Sequence, residues 1–521
     1  MGRYLSALML VLFCWNCKPA SEDRTAVLKD VWRLEQAQIN SFDPTDAYHA
    51  YHIQLTKQLF NTLTDVDTTG RIVPSLAESW HSDDGCHWIF QLREDVLFVS
   101  DPCFVNKEDR LFTAKDVQYT FERLLSKDSQ SLGVSYFTGI LGVSDYRNGL
   151  SETISGIEVI DNHTVSFVLA ESNYNFPSLL SLPFCSIVKE KAIKAYDPKT
   201  RPIGTGPFQL ESYSPDERIS LVRNEDYWEQ IDGEKVPYIK RVELSLTTDD
   251  NFSFLLFKNR KTDFIELNTP LRKQSETTRY RFKTRTSSIE SVQLNFYLFN
   301  LSNISDANIR KGISYAIDRG QIQAVLDKEG TVTYSLYPNV FMDLHMDNEL
   351  LESNREKAQE LLKDQELRLK MVTFDDILSR SIATRVKLDL AKFNVSVDVE
   401  SVPFPVLVDR LSSGDYDLIQ LYWGMLYADP DHFLSPFKAA SFPPEGNNYN
   451  MYSNDSFEEM LKTALRKEGE EQADVYRDAE DVILNDMPFV LLYYKNLNLL
   501  SNKRYWLPMN PLLYKFYKYA R

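Results

Sequence analysis

Between Leu367 and Tyr422 the spacing of hydrophobic residues switches repeatedly between two periods. Leu367, Leu369 and Met371 alternate with Arg368 and Lys370, the pattern of a strand with one buried face. Ile382, Val386 and Leu390 then recur every fourth residue, as on one side of a helix. Val395, Val397 and Val399 alternate again, Phe404 to Leu411 reads as a short helix, and Asp417 opens an apolar strand through Tyr422. Strand, helix, strand, helix, strand predicts parallel strands joined by crossover helices, an open α/β sheet. Ligands of such sheets bind beyond the carboxyl ends of the strands. The segment Trp423-Gly424-Met425-Leu426-Tyr427-Ala428-Asp429-Pro430 stands at such an end and is the first candidate site.

The chain up to about residue 260 is patterned differently. Thr113 with Asp116 three residues on forms a capping box, and Val117, Phe121, Leu124 and Leu125 follow on one helical face. Ile157–Ile160 and Val165–Leu169 flank Asp161-Asn162-His163 as a hairpin. Hairpins mixed with helices predict α+β character here. A tight turn at Glu94-Asp95, between strands His87–Leu92 and Val96–Ser100, would set Cys86 opposite Cys103, since both lie eight positions outside the turn pair. A disulfide is then open to the pair in an oxidising compartment, the alternative being two buried thiols.

The first 17 residues differ in kind. Arg3 precedes an apolar run from Leu5 to Phe13, about half the ~20 residues that span a bilayer, so the segment reads as a secretory signal. Cys14 and Cys17 end it, and Cys17 is a candidate for lipidation, although Trp15 and Asn16 stand where small residues are expected. No later stretch is apolar enough for a transmembrane helix. Across 521 residues, 43% hydrophobic and 26% charged describe a globular chain of roughly three packing units. With 58 basic against 75 acidic residues, a net charge of −17 and no basic stripe, nucleic acid is excluded as a partner.

Catalytic motifs are missing: there is no G-x-S-x-G, H-E-x-x-H, G-x-x-x-x-G-K or complete G-x-G-x-x-G. Gly204-Thr205-Gly206 runs into Pro207, which lacks the N–H a phosphate loop would use, so it reads as a packing turn. His49 and His52 are the only histidines close together; they could share a helical face and a metal, but two ordinary histidines are the simpler reading. Asp375-Asp376 and Asp429/Asp431 are paired carboxylates of the kind a glycosidase uses, yet among 75 acids a capping or solvated role is favoured. Trp423 and Tyr427 could stack on a ligand.

Further motifs follow one another along the chain. Ser41-Phe42-Asp43-Pro44 leads to Gln58-Leu59-Phe60-Asn61-Thr62-Leu63 and Gly70-Arg71-Ile72-Val73-Pro74-Ser75-Leu76-Ala77-Glu78-Ser79-Trp80. Pro202-Ile203-Gly204-Thr205-Gly206-Pro207-Phe208, Arg223-Asn224-Glu225-Asp226-Tyr227-Trp228, Ile309-Arg310-Lys311-Gly312-Ile313-Ser314-Tyr315-Ala316-Ile317-Asp318-Arg319, Gly414-Asp415-Tyr416-Asp417 and Asp429-Pro430 complete the set. In this order the chain resembles the bacterial extracellular solute-binding proteins of family 5, the oligopeptide, dipeptide and nickel binders that serve ABC importers.

The resemblance implies an α/β fold: a two-lobed periplasmic-binding-protein clamshell with open mixed sheets and an extra α+β subdomain in the first lobe. Residues 1–17 would be the signal, 25–70, 191–290 and 488–521 the core of the first lobe, 71–190 the extra subdomain, and 291–487 the second lobe. Chain crossings near Val292–Asn300 and Pro488–Tyr494 would form the hinge. It also implies capture of short peptides between the lobes and delivery to a membrane permease, without turnover and without a cofactor. The protein would be a monomer in the periplasm or cell envelope, touching the membrane only through a lipid on Cys17. The implied ligand-binding residues are Trp423, Gly424, Met425, Leu426, Tyr427 and Asp429, with Ser41 and Phe42.

One position departs from the family's peptide binders. They carry an aspartate three residues after the loop tryptophan, where it accepts the ligand's α-amino group; here Leu426 stands there. A leucine leaves a buried ammonium uncompensated, although Asp429 could substitute. The departure keeps open a metal-chelate, haem or oligosaccharide ligand. Other classes remain as alternatives: a secreted hydrolase of peptides or glycans, or a surface adhesin.

Overall fold

The computed structural model describes residues 27–33, 39–341, 344–363, 366–425, 429–443 and 446–521. The signal segment with Cys14 and Cys17, and the loop residues Leu426 and Tyr427, lie outside the described residues. Among the described residues no helix is long and apolar enough to cross a membrane.

The described chain opens with β1 (Val27–Arg33), and helix α1 (Ala50–Leu59) follows a turn capped by Asp43. It then builds an antiparallel four-stranded sheet from β2 (Ala77–His81), β3 (His87–Leu92), β4 (Ile157–Asp161) and β5 (Thr164–Val168), in the order β2-β3-β5-β4. Helix α2 (Ala114–Leu124) starts at the capping box read from Thr113 and Asp116. It buries Val117, Phe121 and Leu124 against this sheet, with Phe121 edge-on to Phe167 at 5.1 Å. The core so formed draws its buried residues only from between Leu63 and Ile203. β6 (Phe208–Ser214), β7 (Arg218–Arg223) and β8 (Arg241–Thr247) return to the first strand in the order β1-β8-β7-β6, with β1 parallel to β8.

The rest of the chain is organised by one seven-stranded mixed sheet. Its elements are β9 (Phe264–Leu267), β10 (Thr284–Phe299), helix α3 (Ala307–Ala316), β11 (Leu367–Phe374), helix α4 (Ile377–Leu390), β12 (Val395–Val402), helix α5 (Phe404–Ser413) and β13 (Leu418–Trp423). Helices α6 (Pro430–Leu434), α7 (Asp455–Leu465) and α8 (Gly469–Asp486) lead into β14 (Phe489–Asn502). The strand order is β9-β14-β10-β13-β11-β12, with Gly330–Val332 added on β14. β11 is parallel to both β12 and β13, as the alternating periods predict.

β10 and β14 are long antiparallel strands whose pairing breaks register between Glu290 and Leu294. On one side of the break Thr284–Glu290 pair with Asn496–Asn502; on the other Leu294–Leu298 pair with Phe489–Tyr494. The two halves enter different cores: Ile289 and Leu497 pack with the β1-β8-β7-β6 body, while Phe296 and Leu491 pack under β13. β13 runs antiparallel to β10 with Trp423 opposite Leu294, next to the break. The carboxyl ends of β11 and β13 therefore point toward the first body, which makes a two-lobed α/β molecule.

The turn read at Glu94-Asp95 does not make a hairpin. Both edges of β3 are occupied, by β2 and β5. Val96, Leu97, Phe98 and Val99 are all buried, which a half-exposed hairpin arm does not allow, and the Phe98 and Val99 N–H groups donate to the Arg110 and Gly204 carbonyls. Cys86 and Cys103 are consequently not opposed and are free thiols, which corrects the disulfide expectation. Burial and the adjacent Asp101 carboxylate push the Cys103 thiol up to about 11, so it is a poor thiolate.

The Gly204-Thr205-Gly206 turn presses on the end of α1, as a packing turn should. A Cβ on Gly206 would lie 2.4 Å from the Leu59 carbonyl carbon and 2.5 Å from the Phe60 nitrogen. Backbone cannot yield as a side chain does, so Gly206→Ala is expected to cost roughly 2 kcal/mol, read as a lower urea midpoint.

Glu480 on α8 is buried and accepts hydrogen bonds from the Leu336 N–H and the Ser335 hydroxyl. Burial pushes its carboxyl from the ordinary 4.5 to about 7. Between these values the folded chain holds a proton that the unfolded chain has lost, so this group's stabilisation falls as pH rises from about 4.5 to 7. His52 and His432, both lowered to about 4 by burial, act in the opposite sense, withdrawing stability as pH falls from 6.5 to 4. The melting temperature of Glu480→Gln relative to wild type should therefore rise as pH is raised from 5 to 8; a constant difference would exclude this role for Glu480.

Candidate functional site

Trp423 ends β13, half-buried, with its indole N–H donating to the His432 carbonyl at 3.0 Å and its ring stacked on the His432 imidazole at 5.3 Å. His432 belongs to α6, and its Nε2 lies 3.1 Å from the Gly424 carbonyl. Burial holds this imidazole neutral, so the nitrogen facing a carbonyl carries the proton and donates. Trp423 and Gly424 are thus tied to α6 at one end of the loop. Met425 is buried in the core beneath β13.

Asp429 ties the other end. Its Oδ1 accepts from the Asp431 N–H at 2.8 Å, capping α6, and from the Asn175 side chain at 2.8 Å. Asp429 is 2% exposed, and burial, followed by the neighbouring Asp431, pushes its carboxyl well above the usual range. Asp431 itself pairs with Lys438 at 2.8 Å. Asp376 caps α4 and Asp375 pairs with Arg380, so both sequence pairs of carboxylates serve caps and ion pairs.

Ser41 and Phe42 are placed in the first body. The Asp43 N–H donates to Ser41 Oγ at 3.1 Å, and Asp43 both caps the following turn and pairs with Arg123 of α2. Phe42 is buried edge-on to Tyr213 at 5.4 Å, at a cavity of about 530 Å³ whose lining residues all lie between Ile39 and Tyr213. These contacts of Ser41 and Phe42 lie within the first body. His49 and His52 have ring centroids 5.9 Å apart, and among the described residues no three His, Cys, Asp or Glu side chains gather as a metal site.

Other residues that the sequence pattern does not single out reach the same end of the sheet. Phe374 at the end of β11 lies 6.4 Å from Phe404, the first residue of α5, and 5.7 Å from Tyr422 of β13. Phe404 is 55% exposed and Tyr422 49%, an unusual outlay of aromatic surface at strand ends that face the first body. Asn175 is another such residue, reaching Asp429 from a segment 254 positions away.

These features sit where open α/β sheets bind ligands. The family described as bacterial extracellular solute-binding proteins, family 5 Middle, matches residues 71–442. The chain belongs to this family. Among curated relatives, the dipeptide-binding protein of Escherichia coli K12 is 26% identical over 464 residues, covering 83% of both chains. Di/tripeptide-binding protein 1 of Pseudomonas aeruginosa is 27% identical over 457 residues, 82% of each. The solved structure of HbpA2 from Haemophilus parasuis has a TM-score of 0.78 at 22% identity, spanning 95% of this chain and 99% of that one. Solute-binding proteins of this family carry ligands and are not enzymes.

Proposed function

We propose that this family 5 protein captures short peptides between its two lobes and hands them to the permease of an ABC importer. The observation that carries the reading is the loop after β13, held at both ends by α6, at strand ends that face the other lobe. The names of the dipeptide- and di/tripeptide-binding relatives support peptides as the solute. Trp423, Gly424, Met425, Leu426, Tyr427 and Asp429 would line the ligand, with the exposed rings of Phe404 and Tyr422 beside them. Ser41 and Phe42 would reach the ligand from the first lobe. Lobe bounds at residues 71, 191, 291 and 488 belong to the proposal; the core confined to Leu63–Ile203 supports the extra subdomain, and the register break in β10 and β14 supports a hinge. Turnover is not expected. Export, a lipid on Cys17 and a monomeric state complete the proposal.

Leu426 favours a second reading in the same family, a metal chelate, haem or oligosaccharide. The two separate in a thermal-shift measurement on refolded, ligand-stripped protein with a mixed tripeptide pool and the same pool N-acetylated. A ligand of the folded state raises the melting temperature by mass action. A shift with either pool supports peptides; the absence of a shift with both rejects them and leaves the non-peptide solutes.

A further inference from the structure

Asn175 precedes the short helix Phe176–Leu179 and is carried by the body built on the β2-β3-β5-β4 sheet, whose core includes Phe176 and packs Tyr174. Its side chain leaves that body. The amide nitrogen donates to Asp429 Oδ1 at 2.8 Å and to the Tyr476 hydroxyl at 2.9 Å, while the amide oxygen accepts from Gln472 at 3.0 Å. Beside it the Tyr174 N–H donates to the Leu465 carbonyl at 2.9 Å. Leu465 ends α7, Gln472 and Tyr476 lie on α8, and Asp429 caps α6. All of these partners belong to the lobe of the seven-stranded sheet, and Asn175 is nine-tenths buried.

The bonds cross between bodies that are separately cored, one between Leu63 and Ile203 and the other around α6, α7 and α8, while β10 and β14 run between the lobes. A rotation about those strands that parts the two bodies would separate Asn175 from its partners. An amide is suited to the position: it gives two donors and an acceptor at once, which aspartate or leucine cannot. Its acceptor partner is the residue that caps α6, and α6 holds Trp423 and Gly424 through His432.

We propose that Asn175 is an inter-lobe latch and a positioning residue: it engages Asp429 and Tyr476 only on closure, fixing α6 and the end of β13 in their ligand-holding arrangement. Breaking the latch removes interactions of the closed state and none within either lobe. The closed form should lose population while each lobe keeps its own stability. The inference rests on the two-lobed fold and not on the identity of the solute.

The test uses the full chain, with donor and acceptor dyes at Val105 in one lobe and Ile377 in the other, both strongly exposed. Single-molecule energy transfer then reads open and closed populations directly. Asn175→Ala and Tyr476→Phe should each lower the closed-to-open ratio of ligand-free protein, Asn175→Ala by about tenfold, with melting temperatures unchanged. The double variant should be no more open than Asn175→Ala, because the two residues share one interaction. With the tripeptide pool added, a closing shift in wild type that is weakened in Asn175→Ala supports both the latch and a peptide solute. Opening in Asn175→Ala without any response to the pool keeps the latch and rejects peptides. Identical distance distributions in wild type and Asn175→Ala overturn the latch whatever the pool does, as does a fall in melting temperature without a change in distance.

Discussion

Arg310→Ala should destabilise the second lobe by about 4 kcal/mol, through buried carbonyls stripped of their donor. Arg310 is 6% exposed and the bonds of its guanidinium go to backbone carbonyls: Nη1 to Ile304 and Ser305 at 2.8 and 2.7 Å, Nε to Met487 at 2.9 Å, and Nη2 to Asp486. It thus joins the entrance of α3 to the carboxyl end of α8, where unpaired carbonyls and the helix dipole both favour a cation. Burial lowers its pKa, a sign that solvation has been given up for these bonds. Arg310→Met fills similar volume without donors and should be nearly as damaging. Arg310→Lys can reach only part of the set, because one ammonium cannot imitate a planar fork. Urea unfolding followed by fluorescence, with the lobes resolved as separate transitions, checks the ranking. A loss under 1 kcal/mol in Arg310→Ala would show that water replaces the guanidinium.

This residue illustrates what a sequence can disclose. Arg310 marks the family through a motif, but its reason for being there is a set of carbonyls that includes Met487, 177 residues away. Periodicity reports local geometry faithfully: the capping box at Thr113, the hairpin after Ile157 and the run from β11 to β13 form where their spacings require. It is misled where burial is two-sided. Val96 to Val99 resembles a strand by composition, yet its partners are Arg110 and Gly204 and not β3. The turn at Glu94-Asp95 therefore mimics a hairpin, which would set Cys86 opposite Cys103. At the site, Trp423 and Asp429 were legible because they end a strand and begin a helix. Asn175 was not, since its sequence neighbours say nothing of Asp429 or Tyr476.

Replacing Leu426 with aspartate should make the protein prefer peptides with a free α-amino group over their N-acetylated forms. The residue follows Trp423 by three positions, where the family's peptide binders place the carboxylate that receives the ligand's ammonium. A hydrogen bond to a charged group contributes about 1.5–3 kcal/mol, which corresponds to roughly ten- to hundredfold in affinity. The acetylated peptide has no charge to pair, and its carbonyl would meet the new carboxylate, so its binding should weaken. The ratio between the two forms is the diagnostic quantity, since a general disturbance of the loop would lower both together. Leu426→Asn separates charge from polarity: it offers an acceptor without a full charge and should recover only a small part of the preference. Isothermal titration with Ala-Ala-Ala and N-acetyl-Ala-Ala-Ala measures both affinities for each variant. An unchanged ratio in Leu426→Asp would mean that position 426 does not meet the ligand's amino end. The specificity of the wild-type site would then rest on the aromatic surface of Trp423, Phe404 and Tyr422, where shape and apolar contact select the solute and no terminal charge is read.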